Sequence, residues 1–210
     1  MNRMILSGAV LGLTASVGMA QVVSFTGDVS ASAEMTGANF SGSLEYVHVA
    51  GEIGRLSIEL TNITPLNVSG FLTGFIFRSD ASSNSIDALL DFADPASFLN
   101  TGPQLGGGFG TFEGGAALFG SFLGGGSPAG GLAGGQSGTF DFFISSDSAA
   151  TLTSADFIGT SESPGLLVRF RGLSGGGSDM VPVPAPGGLA LLGLGGLGGL
   201  GGLLATRRRR

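Results

Sequence analysis

The residue pattern predicts an all-β body: an antiparallel β-sandwich, with a jelly-roll-like arrangement as one option, carrying a glycine-rich insertion. Three observations predict it. Several runs alternate apolar and polar residues with period two, the spacing of a strand with one face on a core. Ser, Gly, Asn and Pro separate these runs at turn positions. Only one short stretch has helical spacing. Half a dozen strands with little helix bury their inner faces most simply as two packed sheets. The chain has 210 residues and no Cys, so the body is held by its core without disulfides. Residues 21–180 are enough chain for that core.

The elements follow in order. Val22 to Phe25 opens the sheet. Phe40 to His48 places Phe40, Leu44 and Tyr46 on one face. Arg55 to Asn62 is the clearest strand: Leu56, Ile58 and Leu60 face a core, and Arg55, Ser57, Glu59 and Thr61 face water. Gly70 to Phe77 is apolar on both sides, as a central strand is. Ser85 to Phe92 is the helix candidate, because Ile86, Leu89 and Leu90 share a helical face; Pro95 limits it to about a turn. Thr101 to Gly138 interrupts the pattern with sixteen Gly in 38 residues, interspersed with Phe109, Phe112, Phe119 and Phe122. So much glycine is expensive to order, and the expectation is a long, partly packed loop. A sticky surface segment for self-association or matrix contact is the sharper alternative. Thr139 to Ser145 gathers Phe140, Phe142 and Ile144; Leu166 to Arg171 gathers Leu166, Val168 and Phe170.

The ends differ from the body. Residues 1–20 have the form of a secretory signal peptide: Arg3, an apolar stretch too short to span a bilayer, then Gly18-Met19-Ala20. Signal peptidase is expected to cut between Ala20 and Gln21. Residues 181–210 form a tail of three parts in order. Val183, Pro184, Ala185 and Pro186 come first, then the uncharged residues 187–206, then Arg207, Arg208, Arg209 and Arg210. Twenty residues as a helix reach about 30 Å, one hydrocarbon core. Nine glycines make a poor helix in water, but lipid forces the backbone to satisfy itself. Four terminal arginines stay on the cytoplasmic side. The expected topology is therefore an exported body anchored in a membrane by its tail.

This order of parts resembles the PEP-CTERM tail of exosortase-processed bacterial proteins: a short proline motif, one transmembrane helix and a terminal basic cluster. Ala185 stands where the usual Val-Pro-Glu-Pro motif has Glu. The match covers Val183 to Arg210. The body phrases Leu56 to Thr64, Leu72 to Phe77 and Val168 to Asp179 are similar to small proteins bearing such tails, and supply no activity. The resemblance implies an exosortase-type enzyme as partner, cleavage near residues 183–187, a final place at the cell surface or in the extracellular matrix, and a link to exopolysaccharide and biofilm.

Charge and residue inventory narrow the chemistry. The net charge is −6, but all fifteen acids lie between Asp28 and Asp179. Four arginines in that span leave the body at −11. Nucleic acid and anionic lipid are repelled by such a surface. His48 is the sole histidine and has no catalytic motif around it. One His and no Cys leave a zinc site without ligands. Asp80, Asp87, Asp91 and Asp94 cluster in sequence without EF-hand spacing, and a solvated acidic stretch explains them equally well. The glycine run Gly106-Gly107-Gly108 lacks the lysine of a phosphate loop. The expectation is a non-enzymatic protein with no cofactor and no metal. The alternative is an extracellular carbohydrate- or calcium-binding β-sandwich module.

Overall fold

The computed structural model describes residues 21–80, 85–159 and 163–184. The expected signal peptide, membrane span 187–206 and arginine cluster lie outside them. Among the described residues no helix is long and apolar enough to cross a membrane.

Among the described residues twelve strands follow one another: β1 Val22–Thr26, β2 Phe40–Ala50, β3 Ile53–Asn62, β4 Phe71–Phe77, β5 Asp87–Asp94, β6 Phe98–Asn100, β7 Gln104–Leu105, β8 Thr111–Phe112, β9 Gly114–Leu118, β10 Ser137–Ser145, β11 Leu166–Arg171 and β12 Ser178–Pro182. The only helices among the described residues are four single turns of 3-10 type. The first sheet has the order β1-β2-β3-β10-β5 and the second β12-β11-β4-β9-β6, with β7-β8 a separate ribbon. Every pairing is antiparallel. The pairs β5·β10, β6·β9 and β7·β8 are nested. Residues 87–145 thus form a two-armed ribbon that begins in the first sheet, continues in the second and closes at β7-β8.

The two sheets share one core. Its inward side chains are those the alternation selects: Leu56, Ile58 and Leu60 on β3, Phe140, Phe142 and Ile144 on β10, Leu166, Val168 and Phe170 on β11. Aromatic rings join the layers edge to face, Phe75 to Phe140 at 4.7 Å and Phe77 to Phe142 at 4.9 Å between centroids, geometries the ring quadrupole favours. Each fully buried Phe contributes about 1.5–3 kcal/mol by leaving water.

Two expectations are corrected. Residues 85–92 are not a helical turn, because Asp87–Asp94 is strand β5 on the edge of the first sheet. The misleading spacing comes from Leu89: Ile86 and Ala88 are buried and Leu90 packs on the core, a period of two, whereas Leu89 is 61% exposed on the outer face. A bulge follows. Phe142 pairs with Leu90 and Asp141 with Phe92, so Asp91 is an extra residue. It shifts the phase, so that the next core-packed residue after Leu90 is Ala93. Residues 101–138 are also more than a loop. They supply β9, buried along its whole length between β4 and β6. They also supply Phe112 and Phe122, which are 0% and 1% exposed. These two phenylalanines cluster with Ile76 of β4 and Leu167 of β11, on the side of the second sheet away from the main core. A Cβ at Gly115 would press into the carbonyl oxygen of Phe75, so glycine here serves close strand approach. The expectation that Gly70 to Phe77 has two apolar faces therefore has a structural cause: Phe75 and Phe77 face the main core and Ile76 faces the glycine-rich cover.

Candidate functional site

Two regions carry candidate function: the outer face of the first sheet and the junction between body and tail. On the outer face, strand register assembles side chains from five strands into rows. Thr26, Ser41, Thr61 and Ser137 stand in one row. Ser24, Ser43, Glu59, Thr139 and Asp94 form the next. Then come Val22, Glu45, Ser57, Asp141 and Phe92, and finally Val47, Arg55, Phe143 and Leu89. The face grades from hydroxyls, through carboxylates, to an apolar end where Leu89 is 61% and Phe143 41% exposed.

Polar groups on this face are partly spent on each other. Thr61 and Ser137 share a hydrogen bond of 2.7 Å between hydroxyls. The carboxylate of Asp141 accepts from the Ser57 hydroxyl and, at 2.7 Å, from the Arg55 guanidinium. That partner raises the Arg55 pKa. An open groove of about 560 Å³ lies at the hydroxyl end, lined by Ser24, Thr26, Ser41, Ser43, Glu59 and Thr61, with Phe25 and Gly42. Such a groove offers both donors and acceptors. Its lining includes no histidine. His48 is exposed near the end of β2, and its Nε2 lies 3.0 Å from the Gly51 carbonyl oxygen. Among the described residues no three of His, Asp and Glu gather where they could hold a metal ion. Asp87, Asp91 and Asp94 are spread along the exposed edge strand β5.

At the tail junction the structure divides the predicted motif. Val183 belongs to the body: it is 2% exposed and donates its backbone N–H to Leu166 O at 2.9 Å. Pro184 is exposed. Ala185, Pro186 and Arg207 to Arg210 lie outside the described residues, as does Ala20. Gln21 begins the described chain, exposed, and its carbonyl accepts from the Ser154 hydroxyl.

Residues that pattern reading passed over hold these regions in place. Asp179 is 1% exposed. Its carboxylate accepts from the backbone N–H of Glu34, Thr36 and Met180 at 2.9, 3.1 and 2.8 Å, and from the Thr36 hydroxyl at 2.6 Å. That set satisfies a buried charge that would otherwise be costly. Three of the four body arginines serve the glycine-rich segment. Arg169 donates to the carbonyls of Phe122 and Gly124, and Arg171 to those of Gly125 and Gly126. Arg78 donates to Phe109 and Thr111 carbonyls and sits 4.7 Å over the Phe112 ring. Burial lowers the pKa of Arg78 and of Arg169, and for Arg169 the neighbouring Arg171 adds to it. The signal available in sequence was two arginines alternating along a strand whose other residues are apolar.

No family model matches the chain, and neither a curated protein nor a solved structure does. The functional reading rests on the residues themselves.

Proposed function

We propose that this chain is an exported, non-enzymatic surface or extracellular-matrix protein, delivered by a cleaved signal peptide and a PEP-CTERM-like tail that an exosortase-type enzyme processes. The single observation that supports it most is where the fold closes. Among the described residues Val183 is the last one buried in the core, and in the sequence the three-part tail begins there. A self-contained body followed at once by an anchor suits a protein whose tail is an address. The body then stands outside the cytoplasm, anchored until cleavage, and comes to the cell surface or matrix in association with exopolysaccharide. The nested ribbon of residues 87–145, passing from one sheet to the other, favours a jelly-roll-like naming of the sandwich. Intact-mass measurement of the protein from cells and medium tests the delivery reading. The expected exported species lacks residues 1–20, and the released species also lacks most of 187–210. Recovery of residues 187–210 in every fraction from an exosortase-bearing host sinks the sorting step and leaves a plain anchor.

The second reading is a carbohydrate- or calcium-binding module. The groove over Ser24, Ser43, Glu59 and Thr61 favours its carbohydrate branch, since hydroxyls and carboxylates pair well with polyhydroxylated ligands. Co-sedimentation with an insoluble neutral polysaccharide tests it: binding that Glu59→Gln and Thr61→Val abolish supports it, and no binding rejects it. Hydrolysis of a polysaccharide or ester that His48→Ala abolishes would overturn the non-enzymatic assignment.

A further inference from the structure

We infer that the folded body sets where its tail can be cut: residues 178–183 are closed to proteolysis, and cleavage is confined to Pro184 and beyond. In the host this rests on the sorting reading above; in the purified chain it does not. The last strand is not a free sheet edge. On one side β12 pairs with β11 from Arg171↔Ser178 to Leu167↔Pro182. On the other, the segment following β1 bonds to it: Asp28 N–H reaches Pro182 O at 2.8 Å and Ala33 N–H reaches Met180 O at 2.9 Å. The Asp179 carboxylate fastens the same segment through Glu34 and Thr36. Val183 adds one more backbone bond to Leu166 and a side chain inside the core.

A protease takes its substrate as an extended segment whose backbone it can bond itself. Here the backbone on both edges of β12 is already bonded, so a cut before Val183 waits for local opening of the strand. Pro184 is the first residue outside this grip. In the sequence three residues separate Val183 from residue 187, where the expected span begins, a reach of at most about 10 Å. The junction therefore gives a membrane-embedded enzyme little slack, and the body acts as a ruler for the cut.

The test uses the full chain in detergent, from a host without exosortase, treated with proteinase K and read by intact mass. The expected resistant core ends at Pro184 or later. Cuts between Ser178 and Val183 that arise as fast as cuts beyond Pro184 overturn the proposal. Asp179→Ala should speed cuts within 178–183 at least tenfold. Because that variant is open to misfolding, a Gly-Ser-Gly insertion after Pro184 supplies the second arm. It should leave protection of 178–183 intact while raising processing several-fold in an exosortase-bearing host. A host product ending before Pro184 also overturns the proposal. Absence of any host cleavage instead removes the sorting reading, and the detergent result then decides protection alone.

Discussion

The outer face of the first sheet is open to solvent, whereas that of the second carries Phe112 and Phe122 of the glycine-rich segment, and the strands differ accordingly. β3, with one face in water, alternates strictly between Leu56, Ile58, Leu60 and Arg55, Ser57, Glu59. β4 and β11, covered on both faces, contain Phe75-Ile76-Phe77 and Leu166-Leu167-Val168 without a polar break. An unbroken apolar strand requires cover on its second face. In this chain the cover comes from the region whose composition looks least ordered. Its phenylalanines supply apolar area, its glycines permit close approach, and three arginines satisfy its carbonyls. Composition alone therefore misjudges a glycine-rich segment when aromatic residues and distant donors are arranged to hold it.

The contrast is sharpest if a phenylalanine is removed from each face. Phe122→Ala should cost about 3–5 kcal/mol, the range for truncating a buried aromatic, measured by urea unfolding. Phe143→Ala on the open face should cost under about 1 kcal/mol in the same assay, as exposed positions do. Equal losses would break the distinction between covered and bare faces.

Arg169→Ala probes how the cover is fastened. It leaves the Phe122 and Gly124 carbonyls without their donor, a loss of about 1–3 kcal/mol. Hydrogen exchange at residues 119–126 should accelerate roughly tenfold or more, while residues of β3 stay unchanged. Unaltered exchange there would show that apolar packing alone holds the segment.

Tyr46 tests whether the open sheet still seals its inner side. It is 4% exposed and donates to Ala149 O at 2.8 Å, and burial raises its pKa. A raised folded pKa gives stability that is full below the unfolded value of about 10 and lost as pH rises through the folded value. Stability should therefore fall as pH rises above about 10. Tyr46→Phe should cost about 1 kcal/mol at pH 8 and remove that tyrosine-linked part of the fall. Because Tyr46 is the only tyrosine, absorbance at the tyrosinate band follows it directly. Ionisation near pH 10 in the folded protein would contradict a sealed inner face.

The smallest expected effect is at Arg55, whose ion pair with Asp141 lies on the open face with the arginine 48% exposed. Exposed pairs of this kind contribute little. Arg55→Ala should leave the urea midpoint within experimental scatter. A clear loss would show that the open face holds an energetic network of its own.

Much of this was legible residue by residue, and the exceptions have physical causes. β3, β10 and β11 could be read because one face in water imposes period two. β5 could not, because Leu89 is an apolar residue on the outer face, 61% exposed, and beside Ile86 and Leu90 it completes a helical spacing. β9 could not, because Gly114-Gly115-Ala116-Ala117-Leu118 has neither β-branched residues nor alternation; its burial comes from β4 and β6 on either side. The candidate face was only half legible. Glu59 and Thr61 were read as solvent-facing, but their alignment with Ser43 and Ser137 depends on pairing with strands β2 and β10. At the tail, the order of proline motif, apolar segment and arginines is a property of sequence, while the inclusion of Val183 in the core is not.

By itself the sequence determined which side chains of the alternating strands face inward, because the pleat repeats every two residues whatever the partners are. It also determined the acidity of the body, the exclusion of disulfide and thiolate chemistry, and the arrangement of its two ends. The tertiary structure decided which strands are neighbours, where a bulge shifts the phase, that residues of the glycine-rich segment cover the second sheet, and that Asp179 and Val183 close the last strand. Those features depend on hydrogen bonds and apolar contacts between residues far apart in the chain. Asp179 meets Thr36 across 143 positions, a separation over which no local period carries information.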